Sequence, residues 1–231
     1  MREVVLDTET TGLDPAGGHR IVEIGCVELA NSIPTGKVFH EYLNPERDMP
    51  EEAFRVHGLS QDFLRDKPLF SARATAFLEF LEDARLVIHN AEFDMKFINA
   101  ELSRIGQPII GMNRVTDTLL LARRKHPGVP NSLDALCSRY HIDNSRRTKH
   151  GALLDSEILA EVYIELTGGH QKTLELSAIK IHTTRVIKKI VISRPAELAT
   201  RLTKAEAEAH ASFVKELGDK NIWRSYLPLG N

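Results

Sequence analysis

This chain of 231 residues has few cysteines, a small net charge and no long apolar run. Its two cysteines, Cys26 and Cys137, lie in apolar segments and form no metal-type spacing, which fits a reducing compartment. No apolar run is long enough to cross a bilayer, and Met1 leads directly into a strand-like segment, so we expect no signal peptide. These absences predict a cytoplasmic protein that does not bind membranes.

The formal net charge is only −2, but the charge is unevenly distributed. Residues 171–231 hold 11 Lys and Arg against 6 Asp and Glu, a balance of +5, so residues 1–170 hold 19 against 26, a balance of −7. Nucleic-acid binders usually carry a basic surface. The acidic body therefore indicates either a weak grip on nucleic acid or acids clustered around a metal. The basic end is compatible with nucleic acid, a protein partner or simple solvation.

The segment Val4–Gly12 carries the strongest local signal, because an apolar run delivers Asp7 and Glu9 just before a turn. In a strand, side chains two positions apart point to the same face, so the two carboxylates lie side by side. Two neighbouring acids at the end of a buried strand repel each other unless a partner neutralises them, and a divalent cation is such a partner. The competing interpretation is an ordinary polar turn after a strand.

The order of predicted elements indicates an α/β fold. Strands over 4–9, 20–29 and 36–43, with a hairpin connection over 31–35, predict an antiparallel meander. Alternating strands and helices follow, which indicates a mixed sheet covered by helices. The later predicted elements are helices over 51–59 (stopped by Gly58) and 68–81, a strand over 86–89, a helix starting near Asp94, a helix after 115–121, a helix over 133–140 with Ser132 as N-cap, and a helix over 152–166.

Three further residues on separate elements are candidates for the same site. Asp94 follows the strand over 86–89, His150 precedes the helix over 152–166, and Asp155 lies in the first turns of that helix beside its apolar stripe. Considered singly, Asp94 has a bland explanation as an acid favoured by a helix N-terminus, and His150 as an exposed loop histidine.

These residues resemble the DEDDh family of 3′→5′ exonucleases, which have a ribonuclease-H-like fold with a mixed five-stranded sheet flanked by helices. The resemblance rests on three ordered motifs, Asp7–Gly12, His89–Asp94 and His150–Asp155. It extends over nearly the whole chain towards the proofreading nucleases of bacterial replicative DNA polymerases. The resemblance implies a bacterial cytoplasmic 3′→5′ DNA exonuclease that removes mispaired 3′-terminal nucleotides.

The resemblance also implies a two-metal mechanism. Hydrolysis of a phosphodiester needs an activated water and stabilisation of charge at phosphorus, which two Mg²⁺ or Mn²⁺ ions roughly 3.5–4 Å apart supply. By resemblance, Asp7 bridges both ions, Glu9 and Asp155 complete the shell of one, and Asp94 contributes through water. His150 is then the general base, a role that suits imidazole because it titrates near neutrality.

A substrate pocket follows from the same resemblance. Thr10 and Thr11 resemble residues that approach the terminal nucleotide through backbone amides, and Glu52 and His57 resemble residues that line its pocket; Asp7, Glu9 and Asp155 also face the substrate. For His89 two readings stay open, a supporting site residue or a satisfied strand-end histidine. The histidines interpreted as surface residues are His19, His40, His126 and His210.

The sequence divides after the last helix of the body at Gly168-Gly169. We expect a nuclease domain over 1–169 and a linker over 170–192. Within the linker, Gln171, Leu174 and Leu176 resemble the peptide by which bacterial replication proteins bind the sliding clamp, although the pattern alone is also compatible with an ordinary linker.

Residues 193–231 predict a helical tail, with a helix over 196–217. Phe213, Ile222 and Trp223 give its end unusual apolar content, and the resemblance implies that they bind the polymerase catalytic (alpha) subunit. The alternative is that the helix docks on the nuclease domain itself. A small theta-like subunit is a further partner implied by the resemblance.

Two competing functions remain at this stage. A related enzyme that trims RNA 3′ ends would need the same acids and histidine, because the chemistry cuts either sugar. The second is a subunit that chiefly bridges polymerase and clamp, which would not need catalytic residues. The presence of the full set in this sequence argues against a loss of catalysis.

Overall fold

The computed structural model describes residues 1–147, 149–168, 202–218 and 222–225. Backbone contacts divide the chain into a first unit, Met1–Leu176, and a second unit, Ser177–Asn231. The expected domain boundary at residue 169 falls just outside the described residues and stays a prediction. In the described ranges, no helix has both the length and the apolar character needed to cross a membrane.

The first unit is built on a five-stranded sheet of order β3-β2-β1-β4-β5. The strands β1 (Arg2–Thr10), β2 (Ile21–Ala30) and β3 (Ile33–Tyr42) form the predicted antiparallel meander. The strands β4 (Arg85–Ile88) and β5 (Val115–Asp117) continue the sheet in parallel with β1. The mixed sheet confirms the predicted fold class.

Seven α-helices belong to the described part of this unit, and the helix over 152–166 has the predicted bounds. The helix predicted over 68–81 begins two residues later, at Phe70. Gly58 ends the first helix in the left-handed region (φ 74°), and the Ser132 side chain accepts the Ala135 N–H as predicted. The helices are α1 (Glu51–His57), α2 (Gln61–Arg65), α3 (Phe70–Leu81), α4 (Ala91–Arg104), α5 (Thr118–Lys125), α6 (Leu133–Tyr140) and α7 (Ala152–Leu166).

The hairpin between β2 and β3 is tighter than predicted. We expected Asn31–Thr35 to connect the strands, but β3 begins at Ile33 and pairs it with Ala30. Asn31 and Ser32 both have positive φ, 52° and 64°, as a two-residue hairpin turn of this hand requires. The prediction was wrong because a turn made of Asn and Ser lacks the glycine that usually marks it.

Successive residues of β1 contact opposite layers of helices. Val4 and Leu6 belong to the core formed with α3 and α4, whereas Val5 packs with Leu159 and Tyr163 of α7. Because strand side chains alternate, the odd-numbered residues of β1 face α7. The sequence prediction that Asp7 and Glu9 share a face is thereby confirmed, and that face is the one covered by α7.

Helix α7 lies unusually close to the sheet at Gly25. A Cβ atom added at Gly25 would lie 2.2 Å from the Ala152 carbonyl carbon and 2.2 Å from the Leu153 nitrogen. The Ser156 hydroxyl donates to the Gly25 carbonyl at 2.9 Å. Since Gly25 is the cross-strand partner of Asp7, this approach brings the N-terminal end of α7 directly over Asp7.

A buried ion-pair network holds the loop that follows β1. Glu101 on α4 is 1% exposed and accepts from Arg20 Nε at 2.6 Å and from Arg104 Nη1 at 2.9 Å. Arg104 also donates to the Pro15 carbonyl, and the Arg20 amide donates to the Thr11 hydroxyl. These bonds tie the middle and the end of the loop to α4 and join its two ends to each other, which fixes one wall of the space above β1.

The described part of the second unit contains helix α8 (Lys204–Glu216) and a 3₁₀ turn at Ile222–Ser225. The prediction of a continuous helix over 196–217 is wrong at its start, because Thr203 is an extended N-cap that forms a capping box with Glu206. Residues 193–201, including the predicted start, lie outside the described residues. Within this unit the rings of His210 and Trp223 meet edge to face at 5.8 Å.

Candidate active site

A cleft of about 1490 Å³ opens where the parallel strands β1 and β4 end. All five predicted catalytic residues line it, although they come from three separate segments of the sequence. The described residues therefore bring together the set predicted from the motifs: Asp7, Glu9, Asp94, His150 and Asp155.

Asp7 and Glu9 are strongly perturbed acids. Burial raises the pKa of Asp7 well above its usual value, and Asp94, Glu9 and Asp155 raise it further. Burial raises the pKa of Glu9 to about 8, and the next cause is Glu23, its cross-strand partner on β2. Arg147 lowers both pKa values but does not outweigh burial and repulsion, so the two acids stay under-compensated, as is expected of metal ligands in the absence of the metal.

Asp94 reaches the site from the first turn of α4. Its Oδ1 accepts the Thr8 backbone N–H at 3.0 Å and the Thr8 hydroxyl at 2.7 Å, which fixes the carboxylate beside β1. Burial raises the pKa of Asp94 to about 7, although the Thr8 hydrogen bonds act in the opposite direction. Helix α4 is itself positioned by Asp117, whose carboxylate accepts the N–H groups of Asn90 and Ala91 at 3.3 and 3.1 Å.

Asp155 is engaged by two neighbours. Arg147 donates to it twice, from Nε to Oδ1 at 2.5 Å and from Nη2 to Oδ2 at 2.8 Å, while His150 Nδ1 lies 3.2 Å from Oδ2. Burial by itself would raise the pKa of Asp155, but His150 and Arg147 together outweigh it and lower the pKa. The Asp155 carboxylate is therefore ionised and already paired with a cation.

The residues of the cleft fit a divalent metal. Ligand atoms of Glu9, His150 and Asp155 all lie within 4.8 Å of one another. Asp7 is close enough to this cluster that Glu9, Asp155 and Asp94 all raise its pKa. Carboxylate oxygens are the ligands that hard cations such as Mg²⁺ and Mn²⁺ prefer. Burial, and after it the repulsion between neighbouring acids, raises the pKa values of Asp7 and Glu9, and a bound cation would offset both effects, so the chemistry of the donor set matches the group.

The predicted pocket residues also line the cleft, with one disagreement. The Thr11 backbone N–H donates to the Arg20 carbonyl at 2.9 Å, so this amide is committed to the loop and does not fit the predicted contact with a nucleotide. The Thr10 hydroxyl donates to the Gly12 carbonyl at 2.7 Å, and Glu52 is exposed on α1.

The ring of His57 is held at Nδ1 and lies near the backbone of Thr10 in the cleft wall. Its Nδ1 accepts the Leu59 N–H at 3.0 Å, which assigns the ring proton to Nε2. Burial lowers the pKa of His57, so the ring is neutral, and its buried Nε2 forms no hydrogen bond of good geometry with the described residues. The Thr10 backbone is an imperfect acceptor for this donor, which is therefore suited to a polar atom of a bound substrate.

Three histidines predicted to be simple surface residues are hydrogen-bonded and partly buried. His19 lines the cleft and contacts the Thr11 hydroxyl at 3.2 Å, whereas His40 pairs with Glu23 at 2.7 Å. His126 contacts the Tyr140 hydroxyl at 2.7 Å. None of the three is fully buried, so their surface location is not contradicted, but the sequence did not predict these hydrogen-bond partners. The remaining one, His210, is exposed as predicted.

His89 lines the cleft, and its Nδ1 lies 2.9 Å from the Thr118 hydroxyl. Burial lowers its pKa. This pairing satisfies one ring nitrogen, and it gives His89 a place at the site without giving it a contact to the acids.

The tail residues can be placed only in part. Gln171, Leu174 and Leu176 lie outside the described residues, so their clamp-binding role stays a prediction. Phe213 on α8 is 58% exposed, and Ile222 and Trp223 in the 3₁₀ turn are 71% and 50% exposed.

Sequence reasoning missed Arg147, Asp117 and Thr8 as members of the site. The position of Arg147 in the motif segment just before His150 was the available signal, but its bond to Asp155 depends on how the loop folds. Asp117 is the last residue of β5, so an acid at the end of a strand was a second signal.

The fold and the cleft are those of a metal-dependent nuclease. Residues 4–163 match the family model described as RNase_T, exonuclease, and the chain belongs to this family. The nuclease domain of 3′hExo, a DEDDh family member bound to rAMP, aligns with a TM-score of 0.62 at 17% identity over 72% of this chain and 91% of that chain. At this identity the likeness shows the fold alone, and it agrees with the predicted ribonuclease-H-like class.

Curated relatives give a more particular resemblance. DNA polymerase III subunit epsilon of Rickettsia felis is 48% identical over 222 residues, covering 94% of this chain and 97% of the relative. The subunit of the same name from Escherichia coli strain K12 is 45% identical over 239 residues, covering 97% and 98%. The resemblance to replicative proofreading nucleases is thereby confirmed as a resemblance to epsilon subunits over almost the full chain.

Proposed function

We propose that this chain is the 3′→5′ proofreading exonuclease subunit of a bacterial replicative DNA polymerase. The observation that carries the proposal is the convergence of four acids and His150 in one cleft of a chain that resembles epsilon subunits over almost its full length. The acidic first 170 residues fit a nuclease with a weak grip of its own, which receives a frayed DNA 3′ end from the polymerase.

The residues have distinct tasks in this proposal. Asp7, Glu9, Asp94 and Asp155 hold two divalent ions, Mg²⁺ or Mn²⁺. When bound, the ions supply a nucleophilic water and stabilise negative charge at phosphorus. Thr8 fixes Asp94 in place, and the position of α7 over Gly25 aims Asp155 at Asp7.

His150 accepts the proton of the attacking water. Its side chain is 49% exposed, so water reaches the ring directly. Glu52, His57 and the Thr10 segment form the wall that receives the 3′-terminal nucleotide, with His57 Nε2 as a donor towards it.

Two other functions compete. Trimming of RNA 3′ ends would use the same catalytic residues. The observation that favours this alternative is the structural neighbour bound to rAMP, a ribonucleotide. A bridging role in the polymerase complex accompanies catalysis rather than replacing it, since every predicted catalytic residue is present in the cleft.

The first test is cleavage of 5′-labelled single-stranded DNA and an RNA of the same sequence, with Mg²⁺ and with EDTA. We expect metal-dependent shortening from the 3′ end, faster on DNA. Loss of a general base typically costs about 10²–10⁴-fold in rate, so His150→Ala should lose activity on this scale. His126→Ala, which alters a histidine outside the cleft, should retain activity. Faster cleavage of RNA would move the chain to the RNA-trimming class, and no metal-dependent cleavage of either would reject the nuclease proposal.

We propose that the regions after residue 169 bind the other replication proteins and that the assembly works in the bacterial cytoplasm. Gln171, Leu174 and Leu176 contact the sliding clamp, and the exposed Phe213, Ile222 and Trp223 contact the alpha subunit. A small theta-like subunit remains a predicted partner without an assigned surface.

Deletion of residues 177–231 should abolish binding to the alpha subunit while nuclease activity on single-stranded DNA is retained, because the cleft lies in the first unit. Size-exclusion chromatography with purified alpha subunit measures the first effect, and the cleavage assay measures the second. Asp7→Ala is the matched opposite variant and should keep binding but lose cleavage. Retained co-elution after the deletion would refute the tail assignment.

A further inference from the structure

Arg147 places its positively charged guanidinium inside the active site, in contact with Asp155 and His150. Its side chain is 9% exposed and lies between three partners: both oxygens of Asp155, Oδ1 of Asp134 at 2.7 Å and Nδ1 of His150 at 2.7 Å. Asp155 and His150 are also two of the three residues whose ligand atoms cluster within 4.8 Å. A protein cation therefore sits on groups that we assign to metal binding and proton transfer.

The two contacts of His150 Nδ1 make conflicting demands. A guanidinium can only donate, so Nδ1 must accept from Arg147 and the ring proton must lie on Nε2. The 3.2 Å approach of Nδ1 to Asp155 Oδ2 then contains no shared proton. With Arg147 in place, the ring nitrogen without a proton is already used and is not available to a water molecule.

Asp155 is affected in the same way. A bidentate arginine–carboxylate pair is a strong and geometrically specific interaction, and this one is buried, since the Asp155 side chain is 4% exposed. A divalent cation on Asp155 must share the carboxylate with a positive charge or take its place. Either event opposes metal binding, because like charges at this distance in a buried site repel strongly.

We propose that Arg147 is a built-in counter-ion that neutralises Asp155 in the metal-free cleft and competes with the divalent metal for it. Metal binding releases Arg147 from Asp155 and His150. Nδ1 of His150 then donates to Asp155, and Nε2 becomes the proton acceptor that catalysis requires. Arg147 is thus a positioning residue that keeps the nuclease off until metal binds. This inference rests on the proposed function.

The test is isothermal titration of metal-free full-length protein with Mn²⁺, together with thermal melting in EDTA and in Mn²⁺. Arg147→Met removes the charge and keeps much of the side-chain length, and Arg147→Lys keeps the charge without the bidentate fork. Arg146→Met is the matched control, because Arg146 is exposed and its nearest acid is Glu157 at 3.8 Å.

Removing the competing charge should tighten Mn²⁺ binding by Arg147→Met about tenfold. The same variant should melt lower than wild type in EDTA and gain more from Mn²⁺, since Asp155 loses its only strong cationic partner among the described residues. Arg147→Lys should fall between the two, and it keeps the test decisive if Arg147→Met does not fold. Arg146→Met should match wild type.

Unchanged or weaker Mn²⁺ binding by both Arg147 variants would overturn the inference and leave Arg147 as a residue that merely holds Asp155 in place. Failure of the proposed function gives a different pattern. In that case wild type itself would neither bind Mn²⁺ at millimolar concentration nor cleave DNA.

Discussion

Asp7→Asn is expected to abolish nuclease activity while raising the melting temperature of the metal-free protein. Asn keeps the shape of Asp but removes the charge that the other acids and burial oppose. We expect a rate loss of at least about a thousandfold, or about 4 kcal/mol of transition-state stabilisation, because metal-bound groups supply several kcal/mol. Single-turnover cleavage measures the rate, and differential scanning calorimetry in EDTA measures the melting temperature.

The pH dependence of stability gives the same prediction a second readout. The pKa values of Glu9 and Asp94 are raised to about 8 and about 7, so their protonated forms are favoured in the folded state. The contribution of these two carboxyls to stability in EDTA should therefore be fully present below the ordinary carboxyl pKa and lost as the pH rises through about 7 and about 8. The Asp155 pair acts in the opposite direction in acid, because its pKa is lowered. A divalent metal should restore the stability lost at the higher pH, because a ligand that binds the folded state stabilises that state.

Asp83→Asn is the control for Asp7→Asn. Asp83 is exposed and precedes β4, at the end of the sheet opposite the cleft. It should leave the cleavage rate, the melting temperature in EDTA and the gain from metal unchanged. If Asp7→Asn melted lower than wild type in EDTA, or kept its gain from Mn²⁺, Asp7 would not be a repelled metal ligand.

Gly25→Ala is expected to damage both stability and catalysis from a position that has no reactive group. The added Cβ would lie about 2.2 Å from backbone atoms of Ala152 and Leu153, which cannot rotate away. Helix α7 must shift, and overpacking of this kind costs about 1–3 kcal/mol, or a fall of several degrees in melting temperature. Misplacement of a catalytic group by about 1 Å can cost about 10²-fold in rate. Because the shift of α7 displaces Asp155 and His150, the cleavage rate of Gly25→Ala should fall to about that extent.

Two control variants distinguish the steric clash at Gly25 from the loss of a nearby hydrogen bond and from the general effect of a glycine-to-alanine change. Ser156→Ala removes the hydrogen bond to the Gly25 carbonyl and should cost only about 1 kcal/mol with cleavage retained. Gly151→Ala adds a Cβ at a glycine with open space around it and should change the melting temperature little. Wild-type activity in Gly25→Ala would show that the close approach of α7 to the sheet does not position the site.

Local sequence patterns predicted most of the elements and the identity of the catalytic set. The apolar alternation of β1 placed Asp7 and Glu9 on one face, and the bounds of α7 follow from its apolar stripe and the glycine before it. Such features depend on neighbours within a few residues, so the sequence contains them directly. The prediction of the hairpin failed because the Asn-Ser turn lacks the usual glycine. The predicted start of α8 was wrong because the Thr203–Glu206 capping box, a local signal of a helix N-terminus, was overlooked in favour of the helix-forming residues before it.

The sequence by itself determined which side chains are available: four acids and a histidine at the ends of strands and helices. Tertiary structure decided what surrounds them. The pairing of Arg147 with Asp155, the bond from Thr8 to Asp94 and the space for α7 above Gly25 each join segments that fold back on one another. The energies of these contacts change when the distance between the two segments changes by a few tenths of an ångström, and local sequence patterns do not determine that distance. For this reason only the folded chain fixes the charge and the position of the catalytic groups.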